Sequence, residues 1–102
     1  MAGILFPMAA RIGILTVELH ISGCRSLKEK RQVVQSLMAR LRNDFNLSIA
    51  EVGHYDLHQR ACIAIACVGN QTDFVNRVLD TVLERLEREA RIMLIESQLE
   101  LL

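Results

Sequence analysis

The order in which two kinds of hydrophobic pattern follow one another is the feature that most restricts the fold of this chain. Four segments alternate apolar and polar residues or are apolar throughout, as β-strands are, and two repeat apolar residues at helical spacing. In chain order they read strand, helix, strand, strand, helix, strand. Because crossover connections are right-handed, this order predicts an α+β fold of the ferredoxin-like βαββαβ type. Such a fold has a four-stranded antiparallel sheet with two helices on one face.

The first half of the pattern predicts a strand, a helix and a second strand. Residues 11–21 alternate apolar and polar side chains, which is typical of a strand with one buried face. Ser26 precedes Glu29 by three positions, the spacing of a capping box, so a helix should begin there and end near Asn43. Residues 47–52 predict the second strand.

The second half predicts a hairpin loop, a strand, a helix and a last strand. The polar residues 53–60 form the loop, and residues 61–68 form a strand that is apolar on both faces. A second helix is expected over about residues 73–90, and the last strand over residues 91–99.

The length of 102 residues allows one hydrophobic core, and 51% hydrophobic residues exclude a disordered chain. We expect residues 1–10 to form a flexible N-terminal extension and residues 11–102 to form a single domain. The extension is apolar but far shorter than the roughly 20 residues that span a bilayer, so no membrane partner is expected. Three cysteines without a disulfide-framework spacing favour a reducing, cytoplasmic location.

One face of the predicted sheet has no element to cover it. Five residues place apolar side chains there: Ile12, Ile14, Cys62, Ala64 and Ala66. Because exposed apolar patches usually mark interfaces, we expect self-association through this face, in a homodimer. The alternative is that the N-terminal extension covers it.

Positive charge is concentrated on the first predicted helix, although the net charge of the chain is zero. Arg25, Lys28, Lys30 and Arg31 lie at its start, where the helix dipole and the unpaired N–H groups already attract anions. Gly23, just before them, would let a phosphate or carboxylate approach closely. The alternative is an ordinary solvated helix surface, since Lys and Arg are good helix formers.

The loop between the second and third strands should lie at the same end of the sheet as this helix start. It contributes His54, Tyr55, His58 and Arg60, a mixture that suits phosphate contacts and stacking on an unpaired base. Tyr55 has the alternative of packing on its own hairpin. We therefore predict one anion- or RNA-binding surface from nine residues: Gly23, Arg25, Lys28, Lys30, Arg31, His54, Tyr55, His58 and Arg60.

Neither a catalytic nor a cofactor motif is present, so we expect no enzyme, no cofactor and no metal. His54 and His58 are four residues apart, but in a loop, where that spacing does not bring two ligands together. His20 beside Glu18 would form an acid–base pair without a nucleophile. Cys24 precedes a helix start, which lowers a thiol pKa, so a reactive and a purely structural role both stay open.

Three stretches together resemble the YlxP-like family of small bacterial proteins of unknown function. They are residues 15–31 (LTVELHISGCRSLKEKR), 47–52 (LSIAEV) and 53–66 (GHYDLHQRACIAIA). The resemblance covers roughly residues 11–102 and implies a single ferredoxin-like domain. It also implies a role near RNA or the ribosome, because genes of this family lie beside those for transcription-termination, translation-initiation and ribosome-maturation factors. Where the family often has Trp, this chain has His58.

Two functions follow as hypotheses. The first is a cytoplasmic binding protein associated with RNA or a ribosomal subunit through the basic helix start, with DNA not expected as a partner. The second is a dimeric interaction or regulatory module that uses the open sheet face and has no role with nucleic acids.

Overall fold

Each predicted strand and helix is present in the computed structural model, which describes residues 9–102. The elements are β1 (Arg11–Ile21), α1 (Leu27–Asp44), β2 (Ser48–Gly53), β3 (Arg60–Gly69), α2 (Thr72–Glu87) and β4 (Ile92–Leu101). All strand pairs are antiparallel, in the order β2-β3-β1-β4, so the predicted ferredoxin-like fold is confirmed. The expected flexible extension falls, except for its last two residues, outside the described part of the chain.

β1 occupies the centre of the sheet and shows why its sequence alternates. Leu15, Val17 and Leu19 point toward the helices and are buried, whereas Thr16 and Glu18 point to the other face and are half-buried. β1 pairs with β3 on one side and with β4 on the other. The period of two in its sequence therefore reports one face under the helices and one face without them.

α1 begins with the predicted capping box. The Ser26 hydroxyl accepts a hydrogen bond from the Glu29 backbone N–H at 3.1 Å. In return, the Glu29 carboxylate accepts one from the Arg25 backbone N–H at 2.9 Å. Both bonds satisfy donors that a helix start leaves unpaired, and so they fix where α1 begins.

α2 ends at Glu87, earlier than the predicted residue 90. The N–H groups of Arg88 and Glu89 bond to carbonyls three residues back, on Arg85 and Leu86, which tightens the last turn and stops the helix. β4, in contrast, runs past the predicted residue 99, because its pairing with β1 continues until Leu101 lies opposite Gly13.

α2 packs against β1 at a position where only glycine fits. A Cβ atom on Gly13 would lie 2.7 Å from a methyl group of Leu79 and 2.7 Å from one of Val75. Leu79 and Val75 belong to the buried side of α2. The missing side chain thus sets the distance between helix and sheet.

No helix of residues 9–102 covers the other face of the sheet. Ile12, Val68 and Met93 are exposed, the last two by 57% and 64%. Ile14, Cys62, Ala64 and Ala66, which the sequence placed on this face, alternate with the buried residues and are half-buried. The predicted apolar face thus has no covering helix among residues 9–102. The alternative cover, the N-terminal extension, lies mostly outside the described residues, and the homodimer expected on this face stays a prediction.

Candidate functional site

The loops at one end of the sheet meet, as the topology predicted. The Ile21 N–H donates to the Gln59 carbonyl at 2.8 Å, and the Gln59 side chain donates to the Cys24 carbonyl at 3.3 Å. These bonds join the β1–α1 connection to the β2–β3 loop. Arg91, just before β4, donates to the Ser22 carbonyl at 3.1 Å.

Lys30 does not belong to an exposed anion-binding surface, and that part of the prediction is wrong. Its side chain is 1% exposed, and its ammonium lies 2.6 Å from the His54 carbonyl and 2.9 Å from Glu51 Oε2. The reason is helical spacing, because Lys30 precedes buried Val34 and Leu37 by four and seven residues and shares their stripe. Lys30 ties α1 to β2 and to the loop after it.

Glu18 binds two of the predicted site residues, His54 and Arg60, in a cluster whose contacts the sequence did not predict. His54 Nε2 contacts Glu18 Oε1, and Arg60 Nη2 lies 2.9 Å from Glu18 Oε2. The hydrogen bond to His54, followed by that to Arg60, lowers the pKa of Glu18 below its usual value against the effect of burial. His54 and Arg60 thus share a carboxylate, which offsets the positive charge expected from Arg60. Glu18 was expected to act with His20 instead.

The surroundings of His54 explain why the sequence missed this cluster. His54 has a φ of 58°, in the left-handed region that residues other than glycine seldom adopt. Its carbonyl binds Lys30 while its ring binds Glu18. The position of the ring therefore depends on a loop conformation that no periodic pattern encodes.

Three predicted cations remain free of carboxylates. Arg25, Lys28 and Arg31 are exposed, and none forms a salt bridge within the part of the chain that the structure describes. Lys28 and Arg31 are three residues apart on α1 and therefore share a side of the helix. We call Arg25, Lys28 and Arg31 the basic cluster.

The other predicted site residues at this end of the sheet, Gly23, Tyr55 and His58, are exposed. Tyr55 is 55% exposed, and its hydroxyl donates to the Glu51 carbonyl at 3.4 Å. His58 is also exposed. Gly23 has a φ of 74° and open space where a Cβ atom would lie, so a ligand has room to reach its backbone.

The other cations of α1 are held by the fold. Arg40 lies 3.2 Å from a Glu89 carboxylate oxygen, and Arg42 donates to the Ile49 carbonyl at 2.8 Å. Near the end of α1, Asp44 binds Arg85 at 2.6 Å. Arg42 forms no salt bridge within residues 9–102, but the Ile49 carbonyl holds its guanidinium. The cations of α1 whose side chains have no partner among these residues therefore lie at its N-terminal end.

Sequence comparison identifies the family. The family model DUF503, described as a protein of unknown function, matches residues 12–99. This chain belongs to the DUF503 family. It is similar to the uncharacterized protein YlxP of Bacillus subtilis strain 168, with 39% identity over 72 residues, which cover 71% of this chain and 78% of the Bacillus protein. The resemblance to YlxP-like proteins is confirmed, and the basic cluster lies inside the matched range.

Burial disfavours reactivity at the cysteines of this DUF503 chain. Cys24 is 1% exposed and packs in the core, so its position favours the structural role. Burial raises the pKa of the Cys62 thiol, and the neighbouring Glu18 carboxylate raises it further, which opposes the thiolate that a nucleophile needs.

Residues 9–102 contain neither a cluster of metal ligands nor a membrane-spanning helix. There is no group of three or more His, Cys, Asp or Glu side chains placed to hold a metal ion. None of the helices there is long and apolar enough to span a membrane.

Proposed function

We propose that this DUF503 protein is a non-enzymatic, cytoplasmic RNA-binding protein, associated with RNA or a ribosomal subunit. The observation that supports the proposal is the basic cluster. Its three exposed cations form no side-chain salt bridge within residues 9–102, although the Glu29 carboxylate accepts the Arg25 backbone N–H. Lys30, Arg40 and Arg42, in contrast, are engaged by the fold. Phosphate oxygens would supply the missing acceptors.

The net charge of zero makes binding depend on this local cluster rather than on the whole surface. Each phosphate that a cation neutralises releases condensed counterions, so affinity falls as salt rises. Three contacts to single-stranded RNA correspond to a slope of about −2 in a plot of log K against log salt concentration.

The β2–β3 loop would add contacts to bases. The exposed ring of Tyr55 offers a stacking surface, and the exposed imidazole of His58 lies three residues further along the loop. Stacking on an aromatic ring contributes about 1–3 kcal/mol per base and requires bases that are not already paired. Single-stranded regions of RNA are therefore the class of ligand that fits this surface.

Binding to a fluorescent 12-nucleotide oligouridylate, measured over a series of salt concentrations, tests the proposal. The double variant Lys28→Ala/Arg31→Ala should weaken binding at low salt and reduce the slope from about −2 to about −0.7, because one cation remains. The matched control is Arg77→Ala/Arg88→Ala, which removes the same charge from exposed positions at and just beyond α2. An affinity that does not change with salt concentration would contradict the proposal. So would an equal loss of affinity in both double variants.

Purification without nuclease at low salt, followed by a ribosome gradient, tests the cellular partner. Migration with a ribosomal subunit that high salt abolishes supports ribosome association. A preparation free of nucleic acid, with the protein at the top of the gradient, counts against it.

A second candidate is an interaction or regulatory module that uses the open sheet face and has no role with RNA. The exposure of Ile12, Val68 and Met93 on a face without a covering helix favours it. Here Ile14→Glu and Ala64→Glu should abolish association with a partner chain or a second copy, whereas loss of the basic cluster should not. Pull-down and sedimentation of these variants separate the two candidates.

A further inference from the structure

β4 is an edge strand with an unprotected outer side. It pairs with β1, and no other strand of residues 9–102 pairs with it. Its sequence, IMLIESQLEL, contains no Lys, Arg or Pro, the residues that commonly prevent edge strands from pairing with another chain. A row of backbone N–H and C=O groups is thus free to accept a further strand.

The opposite edge of the sheet is different. β2 has six residues, and its pairing with β3 is interrupted by a bulge between Glu51 and Gly53. The Arg42 side chain also occupies the Ile49 carbonyl on this strand. β4 also has a bulge, at Ile95, but it lies outside residues 97–101 of that ten-residue strand. Shortness and a bound charged side chain disfavour pairing at β2, so the two edges of the sheet are not equivalent.

The hydrophobic core reaches the surface along β4. Leu99 and Leu101 lie opposite Leu15 and Gly13 on β1, on the side of the sheet that faces the helices. They are nevertheless 41% and 46% exposed. A strand added beside β4 would remove both leucines from water.

We propose that a second copy of this chain binds at this edge, with the two β4 strands antiparallel. The pattern of β4 is complementary to itself when the two strands are centred on Leu99. When Leu99 lies opposite Leu99 of the other copy, Ser97 faces Leu101 and Gln98 faces Glu100, so no two carboxylates oppose each other. A pair centred on Gln98 would set Glu96 against Glu100, and the like charges disfavour it. A pair centred on Ser97 opposes no two carboxylates, but it would have to extend across the bulge at Ile95 of β4.

This arrangement unites the two sheets into one and differs from a dimer on the open face. It leaves the face with Ile12 and Val68 exposed, and it involves none of the residues of the basic cluster. The proposal therefore stands or fails independently of RNA binding.

Disulfide cross-linking tests the register. In the natural chain background, Leu99→Cys places two thiols on directly opposed residues, whose Cα atoms are about 5 Å apart in an antiparallel pair and within reach of a disulfide. Ser97→Cys is the matched control, because its two copies would be more than about 10 Å apart. With diamide as oxidant, the first variant should give a covalent dimer, and the second should behave like the unsubstituted chain.

Analytical ultracentrifugation tests the interface without a cross-link. Leu99→Lys should raise the dissociation constant of the dimer by about 100-fold or more, because two apolar contacts become a pair of like charges. Circular dichroism confirms the fold, which is expected to persist since Leu99 is partly exposed. Ala64→Glu, on the open face, should leave the dimer unchanged.

Three results would overturn the proposal. They are a natural chain that stays monomeric at several hundred micromolar, a dimer in which Leu99→Cys does not cross-link more than Ser97→Cys, and a dimer that Ala64→Glu disrupts but Leu99→Lys does not.

Discussion

Lys30 and Lys28 lie two residues apart on α1, yet their surroundings are opposite. Lys28 is exposed, whereas Lys30 is buried and its ammonium faces the Glu51 carboxylate and the His54 carbonyl. A buried charge is tolerated only when it has partners, because its removal from water costs several kcal/mol. The pair is therefore a sensitive test of how the loop end of the sheet is held together.

Lys30→Ala should lower the free energy of unfolding by about 3 kcal/mol, because it leaves Glu51 without its cation and opens a space in the core. Lys28→Ala should change it by less than about 0.5 kcal/mol. Urea denaturation of both variants measures the difference. Equal free energies of unfolding for the two variants would contradict the buried contacts of Lys30 with Glu51 and His54.

Glu18 makes the stability of the protein depend on pH. Its pKa in the folded state is lowered from 4.5 by His54 and Arg60, so the ionised carboxylate stabilises the fold above pH 4.5. That contribution is lost as the pH falls below 4.5 and through the lowered pKa. Glu18→Gln should thus melt at a lower temperature than the natural chain at pH 7, and the difference should shrink toward pH 3.

Thermal melts between pH 7 and pH 3 check this expectation. Glu96→Gln is a suitable control, since Glu96 lies directly opposite Glu18 on β4 but forms no ion pair within the described residues. A difference between Glu18→Gln and the natural chain that grows with acidity would contradict the assignment.

The residue scale also shows where reading the sequence fails. The burial of Lys30 could have been predicted, because its spacing from Val34 and Leu37 places it on the apolar stripe. The contact of Glu18 with His54 could not, because it depends on the left-handed backbone of His54 in a loop. A periodic pattern predicts which face of a helix or strand is buried. It does not predict how a loop orients a single side chain such as the His54 ring.

At the scale of elements, the contact between α2 and β1 depends on Gly13. Gly13→Ala should destabilise the fold by about 1–3 kcal/mol, because its Cβ would overlap methyl groups of Leu79 and Val75 on the buried side of α2. Gly23→Asn should cost less than about 1 kcal/mol, since Asn tolerates a positive φ and meets open space. Urea denaturation of the two variants distinguishes the effect of crowding at Gly13 from that of backbone conformation at Gly23. A larger loss of unfolding free energy for Gly23→Asn would contradict the close approach of α2 to Gly13.

The existence and type of the elements in residues 9–102 could be predicted, because β1 and the two helices have periods that match their burial and the other strand segments are short and rich in apolar residues. Element ends were less predictable, since tertiary contacts decide them. β4 continues to Leu101 because β1 still offers a partner, and α2 stops at Glu87 because the next N–H groups turn back on the helix. Neither cause is visible within the segment itself.

At the scale of the whole molecule, an exposed β4 edge links stability to concentration. If two copies associate through β4, the melting temperature should rise with protein concentration, since dimerisation stabilises the folded state by mass action. Leu99→Lys should melt at a temperature that does not depend on concentration. Calorimetry over a 100-fold range of concentration measures both, and a natural chain without such a rise would contradict association through folded edges.

The order of the segments predicted the topology and the sheet face without helices. The sequence did not predict which cations would form the basic cluster. Nine residues were predicted to form one binding surface, and the loops do meet at that end. Lys30, His54 and Arg60 are nonetheless engaged by the fold, which leaves the basic cluster. Which cations stay free is decided by long-range pairing with Glu18 and Glu51.

Because Lys28 is exposed and Lys30 is buried, chemical labelling of the two lysines can show whether the protein is folded. The chain has lysines only at positions 28 and 30. An amine-reactive dye would therefore modify one lysine side chain in the native protein, at Lys28, and both after denaturation. Mass spectrometry can count these labels, so a single reagent would both place a probe beside the basic cluster and reveal what fraction of a sample is unfolded.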